Sequence, residues 1–281
     1  MKKTFLLTTI LAGATTLSSA AYANQHNSYA LDSLFFRPAS DEIVGTTKYT
    51  HKINEYNIAG SSNEDISKKI TQSFDFGINE RLSATVSLSH EEIESKGQNI
   101  SLSSDGFENP EISLKYRTAH EKSDGFISDI TLAIAPDIFT AKSATANVDG
   151  TVASGGNIFA LAVDYGRNFD NSSYKVTGTT IYSAKSKFRD AETGDAYTAD
   201  EETYFNLAIE TQYKLSDKIS LNIAANKYFV LNETSLGAKL NYKLSNGAFI
   251  TLAYDSINTR DDGPFTEDET SVTSASLKYR F

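Results

Sequence analysis

The chain has 281 residues and a formal net charge of −10; 40% of it is hydrophobic, and it contains no Cys, no Trp and one Met. That is ample length for one large domain. Disulfide and thiolate chemistry are excluded, and the acidic balance argues against nucleic acid, whose phosphates call for clustered Lys and Arg.

Residues 1–23, MKKTFLLTTILAGATTLSSAAYA, set two lysines before an apolar run from Phe5 to Ala14, with small residues behind it. Ala21-Tyr22-Ala23 has the A-x-A form of a leader cleavage site, so 1–23 reads as a signal peptide and Asn24 as the mature start. The apolar run is too short to span a membrane, and no later stretch approaches the roughly 20 apolar residues of a spanning helix. An exported chain of this kind is either soluble or a barrel. Residues 24–41 come next, with Leu34, Phe35 and Phe36 apolar but outside any strand pattern.

From residue 42 to 281 the apolar residues alternate with polar or small ones, the mark of strands with two unlike faces. A weaker strand covers 43–53. Ile66, Ile70, Phe74, Phe76 and Ile78 then share one face, and Leu82, Ala84, Val86 and Leu88 follow after a short turn. The pattern recurs over 112–117, 130–134, 159–165, 205–213, 219–224, 236–242, 248–254 and 275–281, with a second weak strand at 174–182. The count is twelve. None of the four prolines falls in mid-strand, which suits unbroken ladders.

The connections alternate in length. Short ones fall at 79–81, 119–125, 168–172, 216–218 and 245–247; long ones at 54–65, 92–109, 137–156, 184–202 and 257–268; one on the long side, 229–233, is itself short. A soluble β-sandwich also alternates, but nothing in it requires this asymmetry, and its turns come every 8–12 residues rather than about every 20. Short turns at one end and long loops at the other are a feature of membrane barrels. The fold expected is all-β: a transmembrane, antiparallel, up-and-down barrel of twelve strands.

The phrase SLKYR occurs at 113–117 and again at 276–280. Strands descending into a short turn end alike, with Tyr116, Tyr165, Tyr213, Tyr242 and Tyr279 on the apolar face beside a Lys or Arg nearby. Tyr prefers the depth where hydrocarbon meets headgroups. The five should form a periplasmic aromatic girdle, and the phrase repeats because the membrane sets one boundary for every strand.

The last strand, with Ala275, Leu277, Tyr279 and Phe281 on one face, resembles the C-terminal signature of Gram-negative outer-membrane barrels. That resemblance implies an outer-membrane location, lipid and lipopolysaccharide as surroundings, and recognition of Phe281 by the barrel-assembly machinery. FDFGINERLSATVSLS (74–89) with GFENPEISLKYR (106–117) resembles the meta-pathway phenol-degradation-like outer-membrane proteins, a transporter family, at Gly77, Asn109, Pro110, Lys115, Tyr116 and Arg117. Ala135-Pro136-Asp137 departs from the Pro-x-Gly expected after the next strand. The resemblance implies passage of small compounds, hydrophobic ones among them, and carries over no catalytic residue.

The residues themselves point to no catalytic, cofactor or metal site. The rival is an outer-membrane hydrolase with a Ser–His pair. Of His26, His51, His90 and His120, His90 is best placed, yet its same-face neighbours are Leu88 and Glu92. The acidic stretches 190–202 and 261–269 lack calcium-loop spacing and read as solvated loops; Glu91, Glu92 and Glu94 read as a solvated loop base. Inward positions carry Asp75, Lys115, Arg117, Asp129, Asp164, Lys175, Glu210, Lys214, Lys239, Lys243 and Lys278 among small residues. Twelve strands leave interior space, which these charges either close with ion pairs or line as an aqueous path. Leu34, Phe35 and Phe36 then enter the lumen as a plug, sit against its mouth, or belong to a disordered tail. The function expected is a passive channel or transporter for an unspecified small solute, with a non-transporting structural or surface barrel as the alternative.

Overall fold

The computed structural model describes residues 31–58, 61–97, 101–120, 124–145, 148–230, 232–259 and 265–281. Residues 1–30, with the expected signal peptide at 1–23, lie outside the described residues.

The chain is all-β. Strands β1 (Ile43–Ile58), β2 (Ser61–Gly77) and β3 (Leu82–Lys96) form an antiparallel meander. β4 (Ser101–Phe107) and β5 (Glu111–Ala119) are two parts of one descending strand, both paired to β3. Between them Glu108, Asn109 and Pro110 oppose only Leu88 and Ser89, because the register passes from Ser87↔Glu111 to His90↔Phe107. The extra residue makes a bulge, one of the few sheet positions that tolerates proline.

β6 (Ile127–Ala135) follows, then the short β7 (Ala141–Ser143), β8 (Ile158–Asn168), β9 (Ser172–Ser183), the short β10 (Ser186–Asp190) and β11 (Ala196–Ala199), and β12 (Glu202–Lys214). β13 (Ile219–Tyr228), β14 (Glu233–Ser245), β15 (Ala248–Thr259) and β16 (Phe265–Arg280) complete the series. β16 pairs with β1 from Val44↔Arg280 upward, so the sheet returns on itself. With β4 and β5 counted as one, the wall is a closed antiparallel barrel of twelve strands. Closure leaves no unpaired edge, the condition for a sheet to stand in hydrocarbon.

The two faces confirm the register. On β8, Phe159, Leu161, Val163 and Tyr165 are each exposed by more than 40%, while Ala160 and Asp164 between them are buried. Bare apolar side chains in a band around a whole molecule would be a liability in water. In a bilayer they face their own kind of solvent. Tyr116, Tyr165, Tyr213 and Tyr242 are exposed on this outer face, at the short-turn end of their strands. Tyr279 lies over Gly45 and packs edge-on against Phe281, with ring centroids 5.0 Å apart.

Outward aromatics also ring the long-loop end, a feature the sequence reading did not single out. Phe159 stacks on Tyr182 at 6.3 Å, and Phe205 meets Phe229 at 5.3 Å. From Phe205 to Tyr213 the strand covers about 27 Å. At the usual 35–45° tilt that becomes roughly 20 Å of height, near the ~25 Å apolar band of such barrels.

Three expected loops prove to be largely strand. β1 and β2 stay paired out to Ile58↔Ser61, β3 and β4 out to Lys96↔Ser101, and β15 and β16 out to Thr259↔Asp268. These extensions are mostly polar on both faces, with only scattered apolar residues such as Ile93 and Leu102, so apolar periodicity could not reveal them. The loops 136–157 and 184–201 do leave the wall, and they pack on each other. There β10 pairs antiparallel with β11 and parallel with β7 as a small separate sheet. Asn109 at the bulge anchors the first loop: its side-chain oxygen accepts from the Ile138 and Phe139 amides at 2.9 and 2.8 Å, and its amide donates to Ser154.

Candidate functional site: the lumen and the N-terminal segment

Inward residues of the barrel enclose a cavity of about 270 Å³, slightly below the ~300–1,000 Å³ of ordinary small-molecule sites. Asp75, Lys115, Asp164, Lys175, Glu210, Lys239 and Lys278 all line it, as their strand parity requires. Arg117 and Asp129 also point inward, but they are sealed, at 1% and 0% side-chain exposure. Lys214 and Lys243 sit at the short-turn rim, away from the cavity; Lys214 pairs with Asp217 of its turn at 3.1 Å.

The sealing comes from residues 31–41. Leu34 and Phe35 are fully buried and pack with Ile127; Leu31 and Phe36 pack with Val44 and Phe249. The segment therefore lies inside the wall at the short-turn end. A turn at Ser33 shapes it, with Phe36 N–H donating to the Ser33 carbonyl and Phe35 N–H to the Ser33 hydroxyl.

Wall side chains hold its backbone. The Arg117 guanidinium binds both oxygens of Asp129, at 2.7 and 2.8 Å, and donates to the Phe35 carbonyl at 2.8 Å. Gln212 donates to the Asp32 carbonyl at 2.7 Å, and Arg37 to the Asn79 carbonyl at 3.2 Å. The Lys278 ammonium stands 3.3 Å from the Phe36 ring centroid, a cation–π contact. Two glycines make room. A Cβ on Gly166 would lie 2.7 Å from the Phe35 ring, and one on Gly77 would overlap the Ala39 carbonyl. Gly77 thus matters through close approach to the N-terminal segment.

Toward mid-lumen the charges mostly pair. Glu210 takes Lys239 at 3.4 Å and Lys175 at 3.6 Å, with Asn222 on the same carboxylate. Asp164 and Asp75 accept from Thr177 and Thr85, each at 2.6 Å. Asn222 joins Gln212 and Asn241, and Thr251 donates to Asn241, so one polar network runs from the N-terminal segment to Glu210. Asn241 faces inward as its period demands, but at 2% exposure it is packed rather than open.

Sequence reasoning missed the charges on the long-loop side of the cavity: Lys48, Lys52, Lys69, Glu91, Glu111 and Asp255. Their parity was readable, since Lys48 and Lys52 share a face with Thr46 and Thr50. Glu91 corrects the expectation of a solvated loop base. It is 1% exposed and accepts from Ser67 at 2.5 Å, because β3 continues past His90 and keeps odd positions inward. His90 lies on the outer face, edge-on to Phe107 at 5.0 Å and 3.5 Å from Asp105. In the loop at 190–195, Asp190 caps its own turn by accepting from the Glu192 and Thr193 amides. Those bonds, that of Thr193 foremost, hold its carboxyl below the ordinary Asp range.

The sequence matches no family model and no curated protein. Solved structures do share the fold. An outer-membrane channel from Pseudomonas putida F1 superposes with a TM-score of 0.68 at 10% identity, over 86% of this chain and 96% of that one. The translocator domain of the autotransporter NalP from Neisseria meningitidis superposes at 0.61 and 11% identity, over 100% and 98%. The toluene transporter TbuX of Ralstonia pickettii reaches 0.50 at 8% identity, over 86% and 90%. At these identities the likeness is one of fold, and the fold serves proteins of different function.

Proposed function

We propose that this chain is an outer-membrane channel or transporter that lets small molecules pass passively, closed at rest near its short-turn end by residues 31–41. The observation that carries it is the cavity itself: a polar, charge-lined space inside a closed barrel whose outer face is bare hydrocarbon. A barrel serving only as a wall has no need of that space. The leader at 1–23 supports export. The terminal Phe281 supports handling by the barrel-assembly machinery of a Gram-negative cell, and a lipopolysaccharide leaflet would surround the long-loop end. Kinship with the meta-pathway phenol-degradation-like proteins rests on Gly77, Asn109, Pro110, Lys115, Tyr116 and Arg117. Of these, Gly77, Asn109 and Arg117 hold the N-terminal segment or the loop above the bulge, tasks any such channel would need. Two structural neighbours whose names describe a channel and a transporter agree with this reading.

The second reading, a non-transporting barrel, draws on the sealed Arg117–Asp129 pair and the buried Leu34 and Phe35. Planar-bilayer recording of the purified protein separates the two. The channel reading expects small single-channel conductance that rises when residues 31–38 are replaced by a short Gly/Ser stretch. Silence from both proteins, each folded by heat-modifiable mobility, would leave the non-transporting barrel.

A further inference from the structure

The bulge between β4 and β5 adds a carboxylate to the lumen. Glu108 and Glu111 lie three residues apart, a spacing that an unbroken strand would send to opposite faces. Here both turn inward: Glu111 lines the cavity, and Glu108 binds Lys69, which lines it too, at 2.5 Å. On β14, Gly237 makes room for a third. A Cβ there would overlap the carboxylate of Asp255, which also lines the cavity. Among the described residues neither Glu111 nor Asp255 has an ion pair or a hydrogen bond.

Glu111 and Asp255 stand level with each other. They are five strand steps apart in a wall of twelve, so nearly across the lumen. The ladder runs from Glu111 through Ser87, Ser73, Thr46 and Lys278 to Phe249, six residues below Asp255. Five strand spacings of about 4.8 Å and six residues of about 3.3 Å cancel in height at a tilt of about 40°, inside the usual range for barrels. Ammonium groups do not cancel the pair. Lys69 is taken by Glu108, and Lys52 sits in the field of Asp65, Glu91 and Glu233. Glu91 accepts from Ser67 with one oxygen, while among the described residues no donor reaches its buried Oε2. With Lys48, three inward ammonium groups thus meet six inward carboxylates on the long-loop side of Glu210. From Glu210 toward the short turns the cavity charges balance, Asp32, Asp75, Asp164 and Glu210 against Lys115, Lys175, Lys239 and Lys278.

We propose that Glu111 and Asp255 form a charge filter in the outer half of the lumen, which admits small cations, compact organic ammonium ions included, and turns back anions. Low-dielectric walls focus the field of the two carboxylates on the lumen axis. A cation between them gains what an anion loses. Opposed charged side chains of one sign select by charge in this way in other pores. The cavity of about 270 Å³ keeps the solute small. The inference rests on the channel reading and names its solute class.

The test is the reversal potential of the mature protein in planar bilayers across a KCl gradient, buffered at about pH 8 to keep carboxyl groups ionised. Potassium is about tenfold more permeant than chloride, the ratio that 1.4 kcal/mol gives. The double variant Glu111→Gln, Asp255→Asn brings the two ions close to equal. The double variant Glu111→Lys, Asp255→Lys favours chloride, a gain that a misfolded barrel cannot show. Asp217→Asn, on an exposed short turn, changes nothing. The protein with residues 31–38 replaced by a Gly/Ser stretch gives the same order at larger conductance. Tetramethylammonium carries current when it replaces potassium, and its exclusion overturns the organic-ammonium assignment. Chloride permeability equal to or above that of potassium in the unaltered protein overturns the filter and leaves the channel. So does a potassium preference that survives Glu111→Gln, Asp255→Asn. Silence from the unaltered and the Gly/Ser proteins, each folded by heat-modifiable mobility, refutes the channel and the filter with it.

Discussion

Ile209 offers the sharpest test of which face meets lipid. It stands four residues from Phe205 and four from Tyr213, midway between the two aromatic belts, and its side chain is 50% exposed. Each four-residue step covers about 13 Å of strand, or roughly 10 Å of height after tilt. Replacing Ile209 by Arg therefore puts a guanidinium near the bilayer midplane, where such a charge costs about 2–4 kcal/mol. That lowers the folded-to-unfolded ratio by about 30-fold to about 700-fold. Ala208, one residue away, faces the cavity. An Arg there meets polar space and costs little, and Phe205→Arg, near the interface, falls to about 0–1 kcal/mol. The assay is denaturant unfolding of the protein refolded into vesicles, followed by heat-modifiable mobility, since the chain has no Trp to report by fluorescence. Equal cost at Ile209 and Ala208 would refute the lipid-facing register. Greater cost at Ala208 would invert it.

Arg117→Met leaves Asp129 as an uncompensated charge in a sealed site and should destabilise the barrel by about 3–5 kcal/mol, with the double variant Arg117→Met, Asp129→Leu recovering much of the loss; vesicle unfolding of the three proteins checks this, and additive losses would contradict it. Deleting Phe281 removes an amide bonded to the Ile43 carbonyl and a ring packed on Phe74 and Tyr279; folded barrel in the outer membrane should fall severalfold by heat-modifiable immunoblot, and normal levels would dismiss Phe281 as an assembly signal. A protease tag within residues 192–198 should be cut on intact cells and one at 245–247 spared, because long loops face outward in this class; the reverse pattern would invert the topology. Widening the cavity wall should add flow: Lys278→Ala, which frees the Phe36 ring, should raise single-channel conductance, and an unchanged conductance would place the constriction elsewhere.

Strand identity and facing needed no tertiary information. Where one face meets hydrocarbon and the other polar space, apolar residues recur at every second position, so Phe205, Leu207, Ile209 and Tyr213, with Thr211 the one polar member of the row, declare both strand and side by their period. The same period placed Tyr116, Tyr165, Tyr213 and Tyr242 on the exposed outer face. It also placed Asp75, Lys115, Asp164, Lys175, Glu210 and Lys239 inside. Where the hydrocarbon ends, the rule lapses. The upper parts of β1, β2, β3 and β4 are mostly polar on both faces, so Glu91 reads as a loop residue in the sequence although it lines the lumen.

Tertiary structure alone decided which inward charges meet. Arg117 binds Asp129 because β5 and β6 are neighbours in register, and that pair holds the Phe35 carbonyl from a segment 82 residues earlier. The sequence showed Leu34, Phe35 and Phe36 as apolar and unpartnered. It could not show that Gly166 leaves a space for one of their rings. A strand's period is a property of the residues along it, whereas what faces it across the lumen depends on the number and order of the strands between.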